Sequence, residues 1–381
     1  MVMQFIERLF NCSSIPIFGI TARAASPPTL LWLFLLFPPF FAQGQDFEFK
    51  KEKISLKNGK SYFLLDVSDK RPSKPNQLGN VFLFGKSVPL ALDKSLEKAL
   101  FEHWDYSLKL KDEESLPLEI QLDEVSVSER KVAPNKIAGE MKVKITFRWT
   151  RKMMPVSLTT YSSGSTYTRP ETAYDHEALL RRLLNNGIRQ FDQWYGLNDK
   201  KNPLLARGFK LVLKDIIPPD QADTVFYRPE KKLTWYDFQG NTNRPGSKFA
   251  AAVFSSMSYE GNSKMADNYL QATISLKVFM VRSMSWGRAE ARNNYTLAHE
   301  QTHFDITRIV AERFKERLKK MDFSIEDYDS QIQYEFLEAF REMNTEQEKY
   351  DRETRHGLNT EAQAAWERKI QAEIARIYQG S

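Results

Sequence analysis

The sequence predicts an α+β protein in which a mixed strand-and-helix region precedes a more helical one. Two observations support this class. Between Gln45 and Pro229, segments of alternating apolar and polar residues are interspersed with two amphipathic helical patterns. From Tyr295 onwards, apolar residues recur mainly at the three- and four-residue spacing of helices. A polar stretch with three prolines, Ile216–Glu230, marks the expected boundary between the two regions.

Each element of the first region follows from its own pattern. Alternation predicts strands at Phe47–Leu56 and Ser61–Val67, and the Asn58-Gly59 pair between them favours a hairpin turn. Further strands are expected where alternation is longest, a hairpin around Gly164, and helices where leucines recur at helical spacing. These elements are the strands Leu116–Val127 and Gly139–Trp149, the hairpin Pro155–Thr168, and the helices Leu92–Leu110 and Ala173–Tyr195.

The second region begins with predicted strands and ends with predicted helices. The strands are Leu233–Phe238, Ala251–Tyr259 and Ala272–Val281. A helix is expected from Tyr295 to Lys320, since neither proline nor glycine interrupts its apolar spacing. Asn294 or Thr296 is the expected N-cap of this helix. Two more helices are predicted at Tyr328–Tyr350 and Thr360–Tyr378.

The N-terminus is typical of an export signal. Arg8 and Arg23 supply positive charge, Leu30–Phe37 forms an apolar core, and Ala42-Gln43-Gly44 offers small residues for cleavage after Gly44. We therefore predict a signal peptide at 1–44, an α+β module of unknown role at 45–229, and a second domain at 230–381. The expected location is the periplasm or the outside of the cell. Membrane association is expected only if the N-terminal segment stays uncleaved.

Composition narrows the possible partners. The net charge of +6 at pH 7 is modest, and the basic residues of Arg313–Lys320 are interleaved with glutamates, so nucleic acid is not an expected partner. The single cysteine, Cys12, lies within the predicted signal. The mature chain would then have no disulfide and depend on its own cores for stability, as suits a bacterial envelope protein.

The most informative motif is His299-Glu300-Gln301-Thr302-His303, which reads H-E-x-x-H in a chain with only 5 histidines. On a helix, residues four apart lie on one face, so both imidazoles can reach one metal ion. Glu300 is rotated by about 100° and can contact a water molecule without displacing a ligand. Zinc held in this way lowers the pKa of water to about 7, and the glutamate takes the proton as the water attacks a carbonyl.

A catalytic zinc site usually needs a third protein ligand. The downstream candidates are Glu335, Glu338, Glu342, Asp351 and His356. We favour His356, because it is the only other histidine after the motif and the following Gly357 permits a tight turn at a helix end. Glu338 is the alternative, since a glutamate on a second helix is another common third ligand.

At these residues the chain resembles a little-characterised bacterial family of predicted secreted zinc-dependent proteases. The resemblance rests on Leu297–Ile306, Leu233–Gly240, Ser285-Trp286 and Tyr350–Gly357, with Gln363 and Trp366 following, and covers about residues 230–381. It implies a zincin-like metallopeptidase domain with H-E-x-x-H on a central helix. It implies His299 and His303 as ligands, Glu300 as base and His356 as the third ligand. The family usually has glycine where this chain has Thr302.

Three more residues are expected near the metal. Asp305 and Asp351 can orient the ligand imidazoles through their other ring nitrogens, and Tyr350 can donate a hydrogen bond to an oxyanion. The expected activity is zinc-dependent hydrolysis of a peptide or protein substrate. The alternative is a non-catalytic envelope protein that uses a structural or vestigial metal site for binding. The sequence does not indicate the oligomeric state.

Overall fold

The computed structural model describes residues 45–72, 75–110, 112, 114–247 and 249–379. The α+β class is confirmed, with helices and strands each forming 35% of the chain. The predicted signal peptide at 1–44, its cleavage after Gly44 and Cys12 lie outside the described residues. Within the described ranges, no helix combines the length and apolarity needed to cross a bilayer.

The first half of the chain forms one seven-stranded sheet. Its spatial order is β1-β4-β3-β5-β6-β7, and β2 also pairs with β5, in parallel. The longest strands, β5, β6 and β7, form two antiparallel pairs. The strands are β1 (Gln45–Phe47), β2 (Tyr62–Asp69), β3 (Gln77–Leu83), β4 (Lys86–Leu92), β5 (Leu116–Ala133), β6 (Lys136–Arg151) and β7 (Met154–Arg169).

Two helices, α1 (Leu96–Asp105) and α2 (His176–Asn198), contact this sheet and bury its core. The Phe147 ring of β6 stacks on the Phe191 ring of α2 with centroids 4.7 Å apart. The predicted helices Leu92–Leu110 and Ala173–Tyr195 are therefore confirmed in position, with shifted ends. The predicted strands Leu116–Val127 and Gly139–Trp149 lie within β5 and β6.

The predicted strand Phe47–Leu56 is wrong, because β1 ends at Phe47. The backbone amides that follow bind side chains instead of a neighbouring strand. The Ile54 amide donates to Ser107 Oγ at 2.9 Å, and the Lys57 and Asn58 amides donate to the Asp192 carboxylate at 2.9 and 2.8 Å. A turn does form at Asn58-Gly59, but it closes no hairpin, because β2 pairs with β5 in parallel.

The predicted hairpin Pro155–Thr168 is also wrong. Strand β7 is continuous through Gly164, which lies opposite Lys142 of β6. The chain turns earlier, at Lys152 and Met153, whose φ angles of 46° and 66° suit a tight two-residue hairpin. The run of serines and threonines is therefore part of a paired strand.

A second, four-stranded sheet follows in the order β11-β12-β8, with β9 also paired to β12. A two-residue strand, β10, pairs separately with β13. One buried apolar cluster ends at Leu205 and another begins at Val225. Strand β8 precedes the predicted boundary at 229 but joins the second sheet; the division into domains stays a prediction. The strands are β8 (Gly208–Asp215), β9 (Thr224–Phe226), β10 (Ala251–Ala252), β11 (Ser255–Ala266), β12 (Tyr269–Val281) and β13 (Trp286–Gly287).

The predicted strand Leu233–Phe238 is wrong, because Trp235–Asp237 forms a 3-10 helix. The Asp237 carboxylate accepts hydrogen bonds from the Thr234 amide and hydroxyl, each at 2.9 Å, and this local capping competes with strand pairing. The predicted strand Ala251–Tyr259 is divided between β10 and β11. The predicted strand Ala272–Val281 lies within β12.

Three long helices complete the chain: α3 (Asn294–Lys320), α4 (Tyr328–Thr354) and α5 (Thr360–Gln379). All three were predicted to within a few residues. The N-cap of α3 is Asn293, so neither predicted cap, Asn294 or Thr296, is right; the Asn293 side chain accepts from the Thr296 amide at 2.9 Å. Residues 299–311 of α3 are all buried, because α4, α5 and the second sheet pack around this helix.

Candidate metal centre

The central position of α3 places His299 and His303 one turn apart at the base of a cleft. Their side chains are buried, and the two ring centroids lie 5.0 Å apart at nearly right angles. Tyr350, in the penultimate turn of α4, is fully buried behind them. Its ring stacks on His299 at 4.6 Å and meets His303 edge-on at 4.9 Å. The phenol ring therefore forms the wall against which both imidazoles pack.

Asp351, the residue after Tyr350 on α4, brings a carboxylate to the two imidazoles. Its Oδ1 lies 3.2 Å from Nε2 of His299 and 3.0 Å from Nε2 of His303. One donor atom from each of the three side chains lies within 4.8 Å of the other two, as a shared metal ion requires. The prediction had placed Asp351 on the other ring nitrogens, whereas it contacts the pair that faces the cleft.

Gln363 of α5 contacts the remaining nitrogen of His299. Its Oε1 lies 3.2 Å from Nδ1, while its Nε2 donates to Glu367 Oε1 at 2.9 Å and to the Tyr295 carbonyl at 3.3 Å. These two donations orient the amide, so Oε1 faces the ring and can only accept a hydrogen bond from it. His299 therefore carries hydrogen on Nδ1, and a neutral His299 presents a lone pair at Nε2.

This arrangement fits a bound cation. With neutral His299, the Nε2 lone pair faces the Asp351 carboxylate oxygen, and an intervening cation would turn that repulsion into two attractive contacts. Two imidazoles and one carboxylate also form a donor set that zinc accepts, with a position left for water. His303 is less constrained, because its buried Nδ1 has no hydrogen-bond partner among the described residues and its ring is held by packing.

Glu300 lies on the same turn of α3 and is also buried. Burial raises the pKa of its carboxyl above the usual range, although the nearby His303 and His299 oppose the shift. The Val253 amide, just after β10, donates to Glu300 Oε2 at 2.8 Å and fixes one oxygen. The carboxyl therefore has a defined orientation beside the imidazoles and an increased affinity for a proton, as a general base near neutral pH needs.

His356, the predicted third ligand, lies beside this cluster. Its Nδ1 is 3.4 Å from Asp351 Oδ2, the oxygen that does not contact the other histidines, and its side chain is half exposed. Arg355, His356 and Gly357 all have left-handed φ angles, 51°, 55° and 81°, in the turn that ends α4. The turn thus directs His356 back towards Asp351. Its role as a ligand stays a prediction.

Two other predicted residues lie away from the cluster. Glu338 lies 13 positions before Asp351 on α4, which is about 20 Å along a helix. Its carboxylate forms an ion pair with Arg341. Asp305 is fully buried and accepts hydrogen bonds from Tyr227 Oη at 2.8 Å, Gln301 Nε2 at 2.8 Å and Gln371 Nε2 at 2.7 Å. The described contacts of Asp305 tie α3 to α5 and include no imidazole.

A cleft of about 590 Å³ opens above the cluster. It is lined by residues 249–253, the first turns of α3 and the turn after α4. Sequence reasoning missed the Val253 amide, since a backbone donor carries no residue signature. The sequence singled out Gln363 only by its position after the motif. Its contact with His299 could not be predicted, because that contact depends on how α5 packs against α3.

Comparison with known proteins relates the segment that carries the site to one family. Residues 283–357 match the family described as "Bacterial protein of unknown function (DUF922)". No curated protein matches the chain significantly. A solved Xanthomonas campestris protein of family DUF330 is 12% identical, with a TM-score of 0.25, covering 41% of this chain and 98% of that one. A second solved structure, of an uncharacterized protein, is 8% identical with a TM-score of 0.19, covering 40% of this chain and 95% of that one. The segment from Ser283 to Gly357 is thus similar to a bacterial domain of unknown function, and it contains both histidines, Glu300 and Asp351.

Proposed function

We propose that the protein is a zinc-dependent peptidase with a zincin-like catalytic domain. The observation that carries this proposal is the convergence of two imidazoles and a carboxylate beside a buried, oriented glutamate at the base of an open cleft. Each part alone has a structural explanation. Together they supply a metal site, a base and room for a substrate, which a purely structural core does not need.

His299, His303 and Asp351 would hold the ion, and Gln363 would keep the Nδ1 proton of His299 in place. Zinc in this position would lower the pKa of a water molecule to about 7. Glu300 would accept the proton of that water through the oxygen that Val253 leaves free. It would then pass the proton to the amine nitrogen as the C–N bond breaks.

His356 has two possible roles, which differ in the number of protein ligands. From 3.4 Å its Nδ1 can pair with Asp351 Oδ2 and hold the carboxylate in place, leaving three ligands and an open position. Alternatively, the exposed ring can turn towards the ion and give four protein ligands, the arrangement of closed structural zinc sites. A closed site of that kind would belong to the second candidate, a non-catalytic binding protein, whereas the group of His299, His303 and Asp351 favours the first.

The proposed location is the periplasm or the outside of the cell, following the export signal expected at 1–44. A peptide or protein is the proposed substrate. The first region, which buries its own apolar cluster around α1 and α2, would serve as a docking or regulatory module.

Metal content tests the ligand set. We expect one zinc per purified wild-type chain, loss of zinc in Asp351→Ala, and full zinc in Glu338→Ala, the matched control on the same helix. The three-ligand site further predicts that His356→Ala retains zinc with weaker affinity. A folded wild-type chain without metal would contradict the proposal, and iron in place of zinc would indicate oxidative chemistry, which the same donor set supports.

Turnover tests the base. Glu300→Gln should retain zinc and lose peptide hydrolysis by at least about a hundredfold, since general base catalysis contributes about 10²–10⁴. Gln347→Ala is the control, because this residue lines the same cleft and binds Ser255 and Thr307 through hydroxyl contacts. Equal rates in Glu300→Gln and wild type would remove Glu300 from the mechanism.

A further inference from the structure

The cleft above the candidate metal centre is bordered by large apolar side chains that the fold leaves uncovered. Leu358 is 84% exposed, Phe249 43% and Tyr295 41%. They come from three separate segments, namely the turn after α4, the loop before β10 and the first turn of α3, yet all three line this one cleft. Such convergence of exposed apolar side chains around a few polar groups is typical of ligand sites.

Local contacts hold two of these side chains in place. The Tyr295 hydroxyl donates to the Gly357 carbonyl at 2.7 Å, which ties α3 to the turn carrying Leu358. The Phe249 ring meets the His356 ring edge-on at 4.8 Å. The Tyr295 and Phe249 side chains are therefore held in the cleft before any substrate arrives, and ordering them on binding would cost little entropy.

The wall formed by the segment after Phe249 leaves space for a side chain. Residues 250–252 are three consecutive alanines, and they line the cleft next to Val253. Among the described lining residues, Arg355 is the one permanently charged side chain outside the metal cluster and Glu300. An apolar substrate group thus meets methyl groups and aromatic rings over most of the cleft.

We infer that the substrates are peptides with a bulky apolar side chain, such as leucine or phenylalanine, next to the scissile bond. This inference rests on the proposed function and specifies its substrate class. The apolar side chain would lie between the alanine wall and the rim formed by Phe249, Tyr295 and Leu358. Its burial would remove apolar surface of both molecules from water.

Binding without turnover tests the inference directly. Zinc-loaded Glu300→Gln protein is titrated into dye-labelled peptides Ala-Ala-X-Ala-Ala, with X as leucine, phenylalanine, glycine or aspartate, and anisotropy reports the affinity. We expect leucine and phenylalanine peptides to bind about tenfold more tightly than the glycine peptide. Equal affinities would overturn the inference, as would tightest binding of the aspartate peptide, which would assign selectivity to Arg355.

Rim variants localise the preference. In the same background, Leu358→Ser and Phe249→Ser should reduce the advantage of the apolar peptides several-fold. The matched controls are Leu197→Ser and Phe84→Ser, because these side chains are 75% and 92% exposed in the region before residue 229, outside the cleft. An apolar preference that survives both rim changes would place the apolar pocket elsewhere and overturn the assignment to this rim.

The experiments distinguish a failure of the proposed peptidase function from a failure of the proposed apolar preference. Wild-type protein that hydrolyses none of the peptides, while Glu300→Gln still prefers leucine, contradicts the peptidase function but supports the apolar site. Hydrolysis of all four peptides at equal rates supports the peptidase and overturns the apolar preference.

Discussion

Replacing Gln363 by leucine should weaken zinc binding about ten- to a hundredfold, the usual effect of removing a hydrogen-bond partner of a ligating histidine. Gln363 is fully buried, and its Oε1 is the one acceptor for Nδ1 of His299 among the described contacts. Leucine keeps most of the volume but removes this acceptor. The loss corresponds to about 1.4–2.8 kcal/mol of binding free energy, at about 1.4 kcal/mol per factor of ten.

The magnitude follows from the tautomers of His299. In the wild type, the accepted Nδ1 proton keeps the Nε2 lone pair directed at the cluster. Without Gln363, a buried Nδ1–H would have no acceptor, which costs about 1–3 kcal/mol. The ring would then favour the proton on Nε2, where it can donate to Asp351, and zinc would have to displace that proton.

Competition with a chelator of known zinc affinity measures the effect, with unfolding in urea measured in parallel. The control is Gln371→Leu, two turns further along α5, where the amide binds Asp305 and no imidazole. Both variants should lose stability, but only Gln363→Leu should lose zinc affinity beyond that loss. Equal zinc affinity in the two variants would refute the tautomer argument.

Three further predictions concern the first half of the chain. Burial alone would raise the pKa of Glu129, but hydrogen bonds from His176, Arg169, the Phe82 amide and Tyr167 hold it well below the usual range. Its stabilising contribution is therefore complete above the unfolded-state pKa of about 4.3 and is lost as pH falls towards the lower folded-state value. Glu129→Gln should lower the urea midpoint strongly at pH 7, and the gap from wild type should narrow towards pH 3; a gap independent of pH would contradict this. Phe147→Ala should cost about 3–5 kcal/mol in urea unfolding, because the ring is fully buried against Phe191, and a cost below about 1 kcal/mol would mean that the core refills the cavity. Gly79→Ala should cost at least about 2 kcal/mol, because a Cβ there would lie 1.8 Å from the Val127 carbonyl oxygen at a φ of 140°, and an unchanged thermal midpoint would refute that clash.

The elements that the sequence predicted well are those whose own side chains determine them. Helix α3 has no proline or glycine to interrupt its apolar spacing, and in β6 every second side chain is buried. Leu233–Phe238 has the composition of a strand, but the Thr234 and Asp237 side chains satisfy the local backbone and favour a 3-10 helix. The segment around Gly164 resembles a turn in isolation, and only pairing with β6 makes it a strand.

The residues of the candidate site likewise fall into those that local sequence predicts and those that depend on tertiary packing. The positions of His299, Glu300 and His303 follow from helix geometry, so the motif alone predicts that the two imidazoles converge. Asp351 reaches them because α4 packs antiparallel along α3, from the Arg317–Glu335 ion pair to the His303–Asp351 contact, and no spacing in the sequence contains that packing. His356 was favoured on residue type, although the nearer carboxylate was already among the candidates.

The contact between Gln363 and His299 also bears on how far this site can be separated from its surroundings. The segment similar to the bacterial family ends at Gly357, while the side chain that sets the proton of the first histidine comes from the following helix. Val253, which orients Glu300, precedes the segment. The matched segment therefore does not contain all the groups on which the candidate site depends. A graft of residues 283–357 into another scaffold would carry the donor atoms without the groups that set their protonation and orientation.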